Sequence, residues 1–508
     1  MTRKQTFACT VFLICLVCAS VRADVKPAAI FSDHMVLQQG MSVPVWGWAD
    51  PGEQVTVSIG SQKQSVAAGG DGKWMVRLSN LSGNGPMEMT IAGKNSVKIS
   101  DVLIGEVWLG SGQSNMEFAV SKDLQKYPTM AKRFAGVINE EAEIAAANYP
   151  QVRMFTVKMK MSKDVLDDVE GQWQVCSPET VPGFSAVGYF FSRDLFKAIN
   201  RPVGFINSSY GASCAQAWIS KDVLAADPKF EPVLAALTTA AERYEQALAR
   251  ANDPTAQPAT QPGARRGGRG GAPRSPYGDQ HMPYVLYNAM IKGIQPYAIK
   301  GALWYQGESI TTGGTEMYTE LMDTLIMSWR KQWGQDIPFY FVQLAALDNN
   351  SNRPEVREAQ AKSLRVPNTA MAVTIDIGNK SDVHPHDKQS LGARLARIAR
   401  SRDYGEKIEY SGPMFESMTV QGSEARVKFS HAGGGLVAKG GELKWFELAG
   451  KDGEFKPAAA QIDGSSVVVT AEGVAQPAAV RYAWNRWPEG ANLYNNDGLP
   501  AAPFRSNP

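Results

Sequence analysis

From Asp101 to about residue 404 the chain alternates short apolar runs with helix-compatible stretches, and this alternation restricts its possible folds more than any other feature. Val102 to Leu109, Ala186 to Ile199, Val203 to Ile206, Gly301 to Trp304, Phe339 to Leu344 and Met371 to Ile375 are the apolar runs. Helical candidates such as Glu316 to Trp333 and Arg357 to Leu364 fall between them. A strand that is apolar on both sides needs cover on both sides. Buried strands interleaved with helices therefore imply the α/β class, with a parallel sheet. Active sites of such sheets gather at the carboxyl ends of the strands.

The flanks are patterned differently. Residues 24–100 read as strands. Pro44 to Trp48 and Gln54 to Ile59 are rich in β-branched and aromatic residues, and Lys73 to Leu78 alternates with a period of two. Turn signals at Asp50-Pro51-Gly52 and Asp71-Gly72 separate them, which predicts a small N-terminal β-sandwich. Trp46, Trp48 and Trp74 are core aromatics or, alternatively, a sugar-binding surface. Strand patterns return over residues 405–508, at Ala425 to Phe429, Leu443 to Leu448 and Ser466 to Thr470, and predict a C-terminal β-rich domain. Residues 252–275, with the tract Arg265-Arg266-Gly267-Gly268-Arg269-Gly270-Gly271, read as a solvated, flexible insertion after a helix over Phe230 to Arg250.

Arg3 and Lys4 precede an apolar run from Phe7 to Cys18, and Val21-Arg22-Ala23 offers small residues for cleavage. Residues 1–23 thus read as a secretory signal, too short to span a membrane in the mature chain. The expectation is export to the periplasm or the extracellular space without a membrane anchor. Cys176 and Cys214 are the two cysteines beyond that signal, and a disulfide or two buried thiols are both open. With 52 basic against 50 acidic residues, no charge excess draws nucleic acid or an anionic membrane.

Four stretches carry chemistry. The first is Gly110-Ser111-Gly112-Gln113-Ser114-Asn115-Met116, where an apolar strand breaks into a helix-compatible segment. A serine on such a turn sits beside the first free N–H groups of the helix, which favour the negative charge of an acyl-transfer intermediate. Met116 stands where the G-x-S-x-G elbow needs its second glycine, so if Ser114 is a nucleophile the protein is not a standard α/β-hydrolase. The second stretch is Asn207 to Ala212, in which the Gly211 N–H is a candidate oxyanion donor. The third is Trp304 to Ser309. Its Gln306 amide is another donor candidate, and Glu308 could orient a base or a sugar hydroxyl. The fourth runs from Asp376 to Asp387 and holds His384, one of only 5 histidines and the candidate general base. His384-x-His386 beside Asp382 and Asp387 also has metal-ligand chemistry. Pro385 restricts His384, however, and no further His/Cys cluster supplies a third ligand. Neither metal nor cofactor is expected.

Several blocks together resemble one family. Ile30 to Gln39, Gly110 to Met116, Phe184 to Phe190, Leu286 to Ile291, Trp304 to Ser309, Val383-His384-Pro385 and Gly498-Leu499-Pro500 are similar to blocks of secreted bacterial sialate O-acetylesterases, of the SGNH (GDSL-like) hydrolase superfamily. The resemblance spans nearly all of the chain after residue 23. It implies an SGNH-type three-layer α/β/α domain over residues 101–404, flanked by N-terminal and C-terminal β-sandwich-like domains. The implied activity removes O-acetyl groups from a sugar or glycan. Ser114 takes the nucleophile position and His384 the base position. The N–H groups of Ser114 and Gly211 form the oxyanion hole, with Gln306 standing where many SGNH enzymes carry asparagine. Asn115 joins this oxyanion and substrate-binding set.

Two departures from the family pattern stand out. Ser381, not an acid, lies three residues before His384, and Asp382 lies two before it. The third member of the triad is therefore Asp382, Glu308 or a backbone carbonyl. Gly211-Ala212-Ser213-Cys214 replaces the more usual Gly-Gly-Thr-Pro. Alternative readings are an acetylxylan or other hemicellulose acetylesterase, and a non-catalytic glycan-binding protein. The oligomeric state is left open. If Gln306 is an oxyanion donor, Gln306→Ala lowers turnover by about 10²–10³ without unfolding the protein.

Overall fold

The computed structural model describes residues 24–83, 85–124, 136–252, 273–310 and 314–506. The expected signal (1–23) and most of the expected insertion (253–272) lie outside the described residues.

Seven strands form the middle of the molecule: β1 (Ser96–Gly112), β2 (Tyr149–Thr156), β3 (Trp173–Cys176), β4 (Val203–Ser209), β5 (Gly301–Tyr305), β6 (Phe339–Val342) and β7 (Thr369–Ala372). Their order across the sheet is β3-β2-β4-β1-β5-β6-β7. All neighbours run parallel except β3, an antiparallel edge strand on β2. The helices that matter for the site are α1 (Ser114–Glu117), α2 (Ala186–Ile199), α3 (Thr315–Trp333), α4 (Arg353–Lys362) and α5 (Lys388–Asp403).

Side-chain alternation shows which helix covers which face. Trp108 of β1 packs edge-on against Phe191 of α2, at 5.2 Å, and against Tyr340 of β6. Trp304 of β5 pairs with Ser111, three residues beyond Trp108, so its ring points to the opposite face. There it meets Trp218 and Trp329 of α3, at 6.2 and 6.1 Å. Helices thus cover both faces, and the strands between them are buried along their whole length. Helices α2 and α5 lie against each other. A Cβ at Gly392 of α5 would come within 2.4 Å of the Phe190 Cβ, so only glycine permits that approach.

Ala186 to Ile199, read above with the apolar runs, is a helix of 14 residues. Its first two turns, Ala186 to Ser192, are buried on every side, and the polar Arg193, Asp194 and Lys197 come only toward its end, so the run reads as apolar where it begins. Helix α4 starts four residues earlier than expected, with Pro354 in its first turn. The expected strand from Leu443 is confined to Phe446–Ala449, because Trp445 takes φ +65°. Trp46 and Trp74 are core residues, the former packed on Phe31 and Tyr297.

The expected division at residue 100 falls inside β1. This strand runs for 17 residues, pairing first with Met87–Ala92 and with Val36–Gln38, then with β4 and β5. The apolar core of residues 25–104 is accordingly continuous with that of the central sheet. Residues 414–505 form three further small sheets around a separate core that includes Val427, Leu448, Val467 and Tyr482. Cys176 and Cys214 are both free and buried, which settles the open question against a disulfide.

Candidate active site

Strand register brings three of the four chemistry-bearing stretches to one level. Gly112 pairs with Ser209 on one side and Tyr305 on the other, so the turns that follow leave the same edge of the sheet together. Gly112 takes φ +131°, and a Cβ there would lie 2.1 Å from the Tyr305 carbonyl oxygen. Only glycine fits. The Tyr210 N–H donates to the Gly112 carbonyl at 3.0 Å, and the Gln113 N–H donates to the Tyr305 carbonyl at 2.9 Å. The chain then turns into α1, whose first residue is Ser114. Among residues 102–121, Ser114 alone is not buried.

The fourth stretch, between β7 and α5, closes over this edge. His384 Nε2 lies 2.9 Å from Ser114 Oγ, across 270 positions of sequence. His384 Nδ1 lies 3.2 Å from Asp382 Oδ1. A carboxylate can only accept, so Nδ1 carries the proton and Nε2 presents its lone pair to the serine hydroxyl. The same Asp382 oxygen also accepts from the backbone N–H of His384 at 2.9 Å. This local Asx turn curls the acid back onto the ring, which is how an aspartate only two residues away reaches Nδ1. Phe118 packs beside the imidazole, centroids 5.8 Å apart.

His386 Nε2 lies 3.2 Å from the other Asp382 oxygen. Burial alone pushes the Asp382 carboxyl up, but hydrogen bonds from His384 and His386 outweigh it and hold the group well below the usual carboxylate range. Asp387 caps α5, accepting from the Ser390 N–H at 2.8 Å. Among the described residues, no group of three or more His, Cys, Asp and Glu is disposed to hold a metal ion.

The remaining candidates lie close by, in roles other than those expected. Gln306 is fully buried, and its amide nitrogen donates to the Ser213 carbonyl (3.0 Å) and to Gln113 Oε1 (3.3 Å). Both of its hydrogens are committed within the protein, so it is not an oxyanion donor here. It ties the turn after β4 to the turns after β1 and β5. Gln306→Ala should therefore strand a buried carbonyl and cost about 1–3 kcal/mol of stability, read as a lower midpoint in urea unfolding. An unchanged midpoint would contradict this structural role. Asn115 is also fully buried, and its amide nitrogen donates to Glu308 Oε1 and to the Val383 carbonyl (3.1 Å), leaving no hydrogen for an oxyanion. Glu308 is thus on Asn115, whereas Asp382 is on the ring nitrogen of His384.

The Gly211 N–H donates to Glu117 Oε2 at 2.7 Å. Glu117 was missed, although Ser114-x-x-Glu117 has the spacing of a capping box. Its carboxylate crosses to the turn after β4. Also missed were Gln113, whose Oε1 accepts from Ser309 Oγ at 3.2 Å, and Lys388, whose Nζ donates to Asn115 Oδ1 at 2.6 Å. No short-range signal marks either one.

Residues 270–401 match the family model described as carbohydrate esterase, sialic acid-specific acetylesterase. The chain is 28% identical to the sialate O-acetylesterase of Mus musculus over 98% of this chain and 97% of that one. It is also 28% identical to the human sialate O-acetylesterase, over 94% and 91% of the two chains. The crystal structure of a carbohydrate acetylesterase from Xanthomonas citri superposes with a TM-score of 0.80 at 33% identity, covering 95% of this chain and 100% of that one. Sharing 33% identity with that enzyme over 95% of its own length, the chain belongs to the carbohydrate acetylesterases, and within them it is similar to the sialate O-acetylesterases.

Proposed function

We propose that this esterase removes O-acetyl groups from sialic acids through a serine acyl-enzyme. The observation that carries the mechanism is the 2.9 Å contact between His384 Nε2 and the one unburied residue of its segment, Ser114. His384 takes the hydroxyl proton as Ser114 Oγ attacks the acetyl carbonyl carbon. The tetrahedral intermediate collapses, the sugar oxygen leaves with the proton from His384, and Ser114 holds the acetyl group. Water, deprotonated by the same imidazole, then releases acetate. Asp382 holds Nδ1–H and stabilises the imidazolium between these steps.

The oxyanion is received by the Ser114 N–H, one of the first-turn donors that no helix carbonyl can reach. The Gly211 N–H is the second donor once Glu117 releases it. In this reading the central domain is the three-layer SGNH arrangement with β-sandwich-like flanks, and the protein is exported to the periplasm or beyond. Initial rates on 9-O-acetylated sialic acid and on acetylated xylan test the substrate. A faster rate on the sialic acid is expected, and preference for xylan would reassign the enzyme to hemicellulose.

A further inference from the structure

We propose that Lys388 is a positioning residue of this active site: by fixing which end of the Asn115 amide faces which loop, it holds His384 against Ser114. The proposal rests on the serine–histidine reading above and concerns what keeps that pair in register.

Asn115 immediately follows Ser114, and its side chain is the point where three loops meet. Its nitrogen end donates to Glu308, in the turn after β5, and to the carbonyl of Val383, the residue before His384. Its oxygen end accepts from Lys388 Nζ, four residues after His384. The histidine is thus gripped on both sides through one amide. An amide can reverse, exchanging its oxygen and nitrogen with almost no change of shape. Glu308 and the Val383 carbonyl are acceptors, and an amine head group is a donor. The reversed amide is therefore unfavourable at both ends: at Lys388 it would set N–H groups against N–H groups, and at Glu308 and the Val383 carbonyl an oxygen against two oxygens.

The lysine is built in for this contact. It is fully buried, and its Nζ lies 4.9 Å from the Phe118 ring centroid and 5.4 Å from that of Tyr305. Burying an ammonium is costly, and here it pushes the group down to about 7 although Glu308, Asp382 and Asp387 pull the other way. The ammonium can only donate, and the neutral amine still has N–H groups for Asn115, while Glu308 and the Val383 carbonyl hold the other end of the amide in either state. Below that range the lysine is a cation among Glu308, Asp382, Asp387 and the two histidines of its own loop.

The test is the pH profile of kcat and kcat/KM on p-nitrophenyl acetate for Lys388→Met, beside wild type, Ser114→Ala and His384→Ala. With the grip loosened, kcat should fall about 10²-fold, the loss expected from an ångström-scale misplacement. KM for so small a substrate should change little. Losing a nearby cation makes protonation of the base easier, so the acid limb of kcat/KM should move up by about one pH unit. A purely structural lysine would lower thermal stability and leave that limb in place, and this outcome would overturn the proposal. So would a folded Lys388→Met protein with near-wild-type kcat. If Lys388→Met does not fold, Asn115→Asp decides. It keeps the lysine and the side-chain volume but sets an oxygen against Glu308 and the Val383 carbonyl. A comparable loss of kcat supports the proposal, and unchanged kcat refutes it. Full turnover in Ser114→Ala would instead mean that the catalytic reading itself is wrong, which keeps the two failures apart.

Discussion

Ser114→Ala lowers turnover on an acetyl ester by about 10⁴-fold or more, and His384→Ala costs about as much. The two side chains share one proton, so neither works without the other. The double variant should be no worse than the worse single one. Ser114 is the only residue of segment 102–121 that is not buried, and its hydroxyl lies 2.9 Å from the imidazole. Removing one oxygen from a half-buried position leaves the core untouched, so the variant should melt within about 0.5 kcal/mol of wild type. Residual activity is read most cleanly as acetate release after prolonged incubation. Multiplying losses in the double variant, or a fully active Ser114→Ala, would show that the reaction does not run through this pair.

Asp382→Asn should lower kcat by about 10³–10⁴-fold. Its carboxylate fixes the ring tautomer, and an asparagine can turn its own N–H toward Nδ1 and so drive the proton to the wrong nitrogen. Glu308→Gln should cost far less, because Glu308 accepts from Asn115 and the amide oxygen of glutamine can still do so. The reverse ranking would make Glu308 the acid. Stability gives a second readout with a definite sign. The Asp382 carboxyl sits below its ordinary range in the folded protein, so its contribution is fully present above about pH 4 and is lost as pH falls further. Asp382→Asn lacks that contribution at every pH. Urea unfolding at pH 6 and at pH 3 should therefore show a smaller loss on acidification in the variant than in wild type.

Much of this arrangement was legible from residues that act over short distances. β4, β5, β6 and β7 announce themselves because they are buried on both faces. A short list of histidines then led directly to His384. Helix α2 escaped because burial on all sides over its first two turns erases there the period that separates a helix from a strand. Asp382 was one of three open choices, since the Asx turn that brings it round is a matter of backbone geometry and not of spacing. The amides were the least legible. Gln306 and Asn115 carry donors suited to an oxyanion, and nothing near them in sequence reveals that those donors are spent on Ser213, Gln113, Glu308 and Val383. Their partners arrive from turns up to 268 positions away. A residue type suggests what a side chain can do, and its neighbours in space decide what it does.

The unbroken course of β1 also bears on how such a protein can be taken apart. One backbone enters as part of the first β region and leaves as the strand that delivers Ser114. A chain begun at Asp101 would keep the delivering half but strip Leu103–Gly105 of their Val36–Gln38 partners and Val102 of Met87. The first β region is therefore not a detachable module that recombination could exchange for another, and it should gain and lose its structure cooperatively with the nucleophile's own sheet.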